Sequence, residues 1–375
     1  MRALVTLRTV SELRPIEGAD LIELALIDGW QCVVKKNEFK VGDRGLYFEI
    51  DSFIPLKDER FKFLEKNATT WKGKYGARIK TIKLKGQVSQ GLLLPLSSFP
   101  ELRTYKWGEK DYSTDLGVVK WEREDAHGNV GEKKSTWLGK KLKKLKHTRI
   151  KPLILWLERT FPGVFLTNAT RPFPSFIPKT DEERIQNLIN KLSLEDIEDD
   201  WERTVKLDGS SMTAYHNKGR VGVCSRNLDL KKDSENKFWQ TAIEYNLDKA
   251  LKKLGKNIAV QGELMGPGIQ GNREQLKEYE FYVFNVYLID EKRYAGKKER
   301  DQLLVELHEL GARIKQVPNL GIGNLQSFKT IDDYLAYAEG PSLVAKTREG
   351  VVFSTLDGTK SFKVISNSYL LKHGE

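Results

Sequence analysis

Lys206-Leu207-Asp208-Gly209-Ser210-Ser211 ends one strand-like run, residues 204–207, and turns the chain into the next, residues 212–216. A lysine at a strand end, with an acid two residues on and a tight Gly-Ser-Ser turn behind it, is a candidate nucleophile. Its amine attacks only when unprotonated, which requires a pKa depressed by neighbouring cations, by partial burial or by a bound metal. Lys-x-Asp-Gly is a short pattern that recurs by chance, so its surroundings decide its meaning. Further strands are predicted at 221–225, 258–264, 280–289, 350–354 and 361–365, with helices at 234–254 and 298–310. Upstream, Arg171-Pro172-Phe173-Pro174 and Pro178 mark a boundary. Thr180-Asp181-Glu182-Glu183 then reads as a capping box, with Ile185, Leu188, Ile189 and Leu192 following at helical spacing. This predicts a helix that opens a C-terminal domain mixing strands and helices.

The first hundred residues read differently. Short apolar or alternating runs at 5–10, 21–26, 31–35, 45–50, 79–84 and 91–94 are separated by Gly, Pro and Asp, as in Asp28-Gly29. Five or six short strands at this spacing predict a small barrel of the OB kind. Lys80, Lys83 and Lys85 crowd one strand, with Lys83 and Lys85 sharing a face opposite Ile82 and Leu84. That face suits a phosphate backbone and equally suits a solvated edge strand protected by lysines. Between the halves, Lys140, Lys141, Lys143, Lys144, Lys146, Arg149 and Lys151 form a cationic run without an acid, carried on a partial helical stripe. It reads either as a clamp on nucleic acid or as a solvated connector helix. The division predicted is 1–100, a nucleic-acid-binding barrel; 101–175, a basic connector; and 176–375, the catalytic domain.

Composition narrows the class. The chain has 375 residues, 39% hydrophobic and 10% aromatic, which supplies core material for more than one domain and excludes wholesale disorder. Apolar stretches such as 153–157 fall far short of the roughly 18–20 residues that span a bilayer. The N-terminus shows no signal-peptide pattern, and two cysteines, Cys32 and Cys224, make neither a disulfide scaffold nor a zinc site. An intracellular, cytoplasmic protein is expected. A net charge of +11 favours a polyanionic partner, most often nucleic acid.

Two patterns are set aside. Gly266-Pro267-Gly268-Ile269-Gln270-Gly271 matches GxGxxG after a strand, but only residues 272–278 precede the next strand, too few for the helix a dinucleotide site requires. The histidines, His127, His147, His216, His308 and His373, lack ligand spacing.

The surroundings of Lys206 then decide. Lys206-x-Asp208-Gly209, Ser225-Arg226-Asn227, Gly262-Glu263-Leu264, Phe284, Glu349-Gly350-Val351-Val352 and Phe362-Lys363 follow one another in the order of the covalent nucleotidyltransferases, the superfamily of polynucleotide ligases and mRNA capping enzymes. Residues 173–187 and 79–95 resemble one branch, the ATP-dependent RNA ligases with an N-terminal OB module, called the RNA ligase 5 family. The order of domains agrees, with the barrel-like segment first and twelve residues remaining after Lys363. The resemblance implies an α+β fold: an OB-like barrel followed by an ATP-grasp-like adenylyltransferase domain of antiparallel sheets and helices.

The resemblance also implies roles. Lys206 would attack the α-phosphate of ATP and carry AMP, and Lys363 would neutralise that phosphate. Phe284 would stack on adenine, and Glu263 would take a ribose hydroxyl or join the water shell of a metal. Asp208 and Glu349 would hold Mg²⁺, or Mn²⁺ in its place, through waters. Arg226 fits a ribose or nucleic-acid phosphate contact, and Arg184 and Lys179 are candidate contacts for the leaving pyrophosphate. The implied activity is ATP-dependent sealing of 3′-hydroxyl and 5′-phosphate RNA ends by a monomer acting on nicked duplex. DNA or mixed nicks, and a non-catalytic nucleic-acid-binding protein, are the alternatives. Related ligases often carry Lys-x-Lys in the last motif, whereas Ser361 stands at the first of those places here. Lys360 next to it is predicted to face the other way.

Overall fold

Turn chemistry builds the N-terminal barrel. Asp28, in the left-handed region at φ 54°, closes with Gly29 a two-residue loop between β2 (Ile22–Ile27) and β3 (Trp30–Lys35). The computed structural model describes residues 3–104, 110–122, 137–144, 151–160, 171–232 and 236–374. A long first strand, β1 (Val5–Pro15), carries a bulge between Val10 and Glu12, where it turns from β4 (Arg44–Phe48) to β2. With β10 (Leu92–Pro95) these strands form a five-stranded sheet in the order β10-β4-β1-β2-β3. A second sheet runs β11 (Val119–Lys120), β5 (Ser52–Pro55), β7 (Lys74–Arg78), β6 (Ala68–Trp71). Val5, Trp30, Leu46, Phe48, Ile54 and Phe61 fill the barrel.

The predicted strand 79–84 is not a strand of the barrel. Residues 74–78 take that place, and β8 (Ile82–Leu84) instead pairs only with β9 (Gln87–Ser89) as a small hairpin. Lys85 occupies its turn at φ 45° and so does not share a strand face with Lys83. Ile82 and Leu84 are exposed rather than buried. In the connector, helices α1 (Trp137–Lys144) and α2 (Lys151–Thr160) are present, and the Lys141 ammonium lies over the Trp137 ring at 4.3 Å. Lys146 and Arg149 of the cationic run lie outside the described residues, as do His127 and His147.

Two sheets make the C-terminal domain. The larger runs β12 (Arg171–Pro172), β17 (Leu228–Leu230), β16 (Arg220–Cys224), β15 (Ser210–Asn217), β18 (Ile258–Met265), β19 (Glu280–Leu288), β20 (Arg293–Tyr294), with β21 (Lys315–Gln316) added on β19. The smaller runs β13 (Glu183–Arg184), β24 (Ser361–Ile365), β23 (Gly350–Thr355), β14 (Trp201–Lys206), β22 (Asn319–Gly323). A short α3 (Leu194–Glu198) precedes β14. The larger sheet is covered by α4 (Lys237–Glu244), α5 (Leu247–Leu254) and α6 (Lys297–Glu309), whose Phe238, Trp239, Leu251 and Leu304 share a core with Val260 and Phe281. The single helix predicted over 234–254 is broken at Asn246, which sits at φ 54°. The smaller sheet packs on α7 (Ile331–Ala338), with Trp201, Tyr334, Phe353 and Phe362 at its centre, and α8 (Asn367–His373) follows β24. Phe353 and Phe362 stack at 4.8 Å.

The predicted capped helix at 180–192 does not form. Glu183 and Arg184 instead pair in parallel with Phe362 and Lys363, and a 3₁₀ turn, Ile185–Asn187, follows. Strand pairing and the burial of Ile185 in the small sheet's core override the local cap signal. The helical spacing of Leu188, Ile189 and Leu192 is satisfied by packing against that same core in turns.

The two halves meet at Asn187. Its Oδ1 accepts from Arg8 Nη2 at 3.0 Å and Trp30 Nε1 at 2.8 Å, and its Nδ2 donates to Glu49 at 3.3 Å and Glu183 at 3.0 Å. Gly29 is indispensable there, since a Cβ would sit 2.7 Å from the Gln186 Cα. A second contact joins Gln90 Nε2 to Asn367 Oδ1 at 2.9 Å.

Candidate active site

The sheets diverge beyond the end of β14, leaving a cavity of about 900 Å³ lined by both of them and by the barrel's β7 and β11 region. Lys206, Asp208, Glu263, Phe284, Glu349 and Lys363 all line it. Arg184 and Arg226 line it too, so eight of the nine residues singled out from sequence converge. Lys179 is the exception: it is exposed, donates to Asn227 Oδ1 at 2.8 Å and borders an adjoining cavity of about 540 Å³.

Backbone pairing accounts for the convergence. Lys206 is directly opposite Gly350 across β14 and β23, and Val352 is opposite Lys363 across β23 and β24, so the second lysine lies two strands from the first. Gly350 lets these strands close, since a Cβ there would meet the Val364 carbonyl oxygen at 2.1 Å. Glu263 enters from β18, and its Oε1 accepts from the Gly209 N–H at 3.0 Å, which fixes the turn behind Lys206. Phe284, on β19, is partly exposed to the cavity while Phe281 and Val283 face the helices. Its aromatic neighbours Phe281, Tyr282 and Tyr287 are buried, whereas Phe284 is half-buried and packs against Val205, Leu207, Met265, Tyr282 and Val317.

The electrostatics depart from the sequence expectation at one point. Lys206 Nζ donates to Glu349 Oε2 at 2.8 Å. Burial works to lower the Lys206 pKa, but the Glu349 and Glu263 carboxylates outweigh it and hold the ammonium above the usual lysine range. The predicted depression is therefore reversed here, because the cations that would produce it are outnumbered by acids. Glu263 moves the other way. Burial, then the charges of Glu349 and Asp208 against the opposing pull of Lys206, push its carboxyl up to about 8. Burial holds Lys363 below the usual lysine range, with Arg184 assisting and Asp181 opposing.

Several residues at the site were not anticipated. Asp181 accepts from Lys363 at 3.1 Å and from Lys120 at 2.6 Å, so the strand that leaves the barrel reaches the cavity through one shared carboxylate. Those two ammonium groups outweigh burial and hold Asp181 well below the usual carboxylate range. Arg273 donates to Asp208 and to the Tyr369 hydroxyl. At the far end, the buried Glu202 accepts from Arg300 at 2.8 Å and from Asn319 at 2.8 Å. Asp181 lay inside a segment that the sequence flagged. Arg273, Glu202, Arg300 and Lys120 carry no local signal and become visible only when the sheets are assembled. The glycine-rich run 266–271 is a loop bordering the cavity through Gly268, Ile269 and Gln270, not the start of a helix. Ser361 is exposed, and Lys360 turns away from the cavity to Asp196 at 2.5 Å, as its strand position predicted.

The donor set bears on metals. Asp208, Glu263 and Glu349 give the cavity hard oxygen donors, but among the described residues no three His, Cys, Asp or Glu side chains stand close enough to cage an ion directly. Such a set fits a hydrated Mg²⁺ or Mn²⁺ held through its waters.

Comparison with known proteins bears on both halves. An OB-fold domain family matches residues 4–96, and the RNA ligase family matches residues 199–365. Solved structures of an RNA ligase from Naegleria gruberi match the whole chain. One mutant, in apo form, is 41% identical with a TM-score of 0.84, covering 100% of this chain and 98% of that one. The same ligase with PPi is 41% identical with a TM-score of 0.83, covering 100% and 99%. A mutant with ATP and Mn is 41% identical with a TM-score of 0.83, covering 100% of both chains. No curated protein sequence matches.

Proposed function

The chain belongs to the RNA ligase family, and from that premise we propose that it joins 3′-hydroxyl and 5′-phosphate RNA ends by ATP-dependent chemistry centred on Lys206. The observation that carries this reading is the meeting of Lys206, Lys363, Glu263, Glu349 and Phe284 around one cavity, in a chain that aligns end to end with a ligase solved with ATP and Mn. In the first step the Lys206 amine attacks the α-phosphorus of ATP. A P–N bond forms, the bond to pyrophosphate breaks, and lysine gives up a proton. In the second, an oxygen of the RNA 5′-phosphate attacks the same phosphorus, the P–N bond breaks and lysine regains its proton. In the third, the 3′-hydroxyl loses its proton to solvent and attacks the activated 5′-phosphate, the bond to AMP breaks, AMP departs and the strand is sealed.

Each step is an in-line displacement at phosphorus, where positioning and charge neutralisation supply most of the catalysis. Lys363 contributes the charge nearest the α-phosphate, and Phe284 holds the base. Arg226 takes a ribose hydroxyl or phosphate, and Arg184 the departing pyrophosphate, with Lys179 at the rim. Asp208, Glu263 and Glu349 would hold Mg²⁺ or Mn²⁺ through waters. A divalent ion there supplies positive charge that offsets these carboxylates and favours the neutral form of Lys206. We place the protein inside the cell, acting as a monomer on nicked duplex RNA. Two buried free thiols, Cys32 and Cys224, suit a reducing compartment, and no helix among the described residues is long and apolar enough to cross a membrane.

The test is mass spectrometry of the protein mixed with ATP and Mg²⁺, followed by sealing assays on nicks with RNA or DNA on either side. One AMP attached to Lys206, its loss in Lys206→Ala, and joining only of 3′-RNA ends support the reading. Sealing undiminished in Lys206→Ala would overturn it.

A further inference from the structure

The outer face of the β11-β5-β7-β6 sheet carries an aromatic and cationic strip that the barrel core does not use. Alternation along β7 puts Lys74, Gly76 and Arg78 on one side, and pairing adds Trp71 opposite Lys74 and Phe53 opposite Arg78. Ile54, opposite Ala77, points the other way into the barrel. Gly76 leaves room for the buried Phe53 ring, which a Cβ there would meet at 2.6 Å. On this floor sits Trp71, 5.2 Å from Phe53, and Trp121 lies 6.5 Å from Trp71. Both indoles are half-buried.

Cations cover the rings. The Arg78 guanidinium lies 3.8 Å from the centre of Trp121, and the Lys72 ammonium 4.5 Å from that of Trp71. Arg78 is paired with Asp51 at 2.6 Å, and Glu122 stands 3.6 Å from Lys120. Lys72 and Lys74 are exposed and form no ion pair among the described residues. The strip is also continuous with the catalytic cavity, since Arg78 and Trp121 line both. From Arg78 to Lys74 it runs four residues outward, about 13 Å at ~3.3 Å per residue. Half-buried indole rings flanked by cations, with Lys72 and Lys74 in no ion pair among the described residues, lead into a phosphate-handling cavity and match the way single strands are held, by base stacking beside a cationic groove.

We infer that this strip, Trp121-Arg78-Trp71-Lys74 with Lys72 at its tip, is the track along which the RNA strand enters the catalytic cavity. The inference rests on the RNA-joining reading above, and it assigns RNA to the β6–β7 hairpin rather than to the lysine-bearing β8–β9 hairpin on which the sequence drew attention.

The experiment measures RNA affinity of the full chain against salt, beside lysyl-AMP formation from ATP without RNA. In Lys72→Ala/Lys74→Ala, affinity falls and the slope of log affinity against log salt drops by about 1.4–1.8, two phosphate contacts' worth. Trp71→Ala weakens binding about tenfold or more, while Trp71→Phe, which keeps a ring, stays near the parent. Lysyl-AMP formation stays within twofold throughout. Unchanged affinity and slope in the double lysine variant overturn the track whether or not the tryptophan variants fold. So does a slope that moves only in Lys80→Ala/Lys83→Ala/Lys85→Ala. A parent that forms no lysyl-AMP overturns the ligase reading itself, which keeps the two failures apart.

Discussion

Asn187 offers the sharpest test of how the barrel and the catalytic domain work as one. Replacing it with Ala strips the acceptor from the Trp30 indole N–H, which is buried, and the donor from Glu49 and Glu183. A stranded buried donor costs about 1–3 kcal/mol, and a lost hydrogen bond to a charged group about 1.5–3 kcal/mol. Arg8 loses less, because Asp28 still holds it at 2.8 Å. Taking the lower part of each range gives about 3 kcal/mol. At about 2–4 °C per kcal/mol for a large domain, the melting temperature falls by about 6–12 °C. Asn187→Asp separates the contributions. It keeps the acceptor for Arg8 and Trp30 but sets a third carboxylate against Glu49 and Glu183, so it destabilises at least as much as Ala near pH 8 and recovers on acidification. Because β13 pairs Arg184 with Lys363 immediately before Asn187, both variants also raise the KM for ATP in lysyl-AMP formation. Scanning calorimetry and adenylylation kinetics on the same samples provide the readout. Melting within 1 °C of the parent in both variants would refute the reasoning, since it would mean that the four hydrogen-bond partners of Asn187, three of them across the interface, contribute no net stability.

Three other outcomes follow from the site. Glu263, with a folded pKa of about 8 against an ordinary 4.5, holds a proton that the unfolded chain releases. Stability therefore falls as pH rises from about 4.5 to 8, and Glu263→Gln is the more stable protein at pH 8–9, with a gap that closes toward pH 5 in guanidinium unfolding; parallel curves would count against it. Lysyl-AMP formation rises with pH between 6 and 8, because Lys206 rests as an ammonium against Glu349 and must lose a proton to react; a flat profile counts against an ammonium as the reacting lysine's resting state. Phe284→Ala raises the KM for ATP about tenfold and Phe284→Leu less, as loss of a stacking surface requires, and an unchanged KM returns this ring to the core.

Much of the site was legible because its chemistry is carried by short runs tied to strand ends. Lys206-Leu207-Asp208-Gly209, Glu349-Gly350 and Phe362-Lys363 gain their meaning from one another, and pairing of β14, β23 and β24 brings them together by register. The barrel was legible from its punctuation, Asp28-Gly29 above all, but strands β5, β6 and β7 were missed. They are short, and β7 holds Gly76, which lowers strand propensity yet is required where the Phe53 ring crosses it.

The two misread elements fail for different reasons. Thr180-Asp181-Glu182-Glu183 has every local feature of a helix start, and Lys83 and Lys85 every feature of a strand face, yet the first reading failed where long-range partners competed and the second where a tight local hairpin put Lys85 in its turn. At 180–184 the competitor is functional: a helix there would carry Asp181 out of reach of Lys363 and Lys120 and take Arg184 off the edge of β24. Extended backbone gives up a capped helix, a local gain of about 1 kcal/mol, and obtains parallel pairing, burial of Ile185 and a carboxylate shared between two cationic side chains. The same trade explains Lys206. A lysine isolated among cations would be neutral and reactive at once, whereas this one is stored as an ammonium against Glu349. Reactivity then depends on what enters the cavity and offsets that carboxylate. The local conflict between a good nucleophile and a stable resting pair therefore ties adenylylation to occupancy of the site, and no reading of residues 206–211 in isolation could have revealed it.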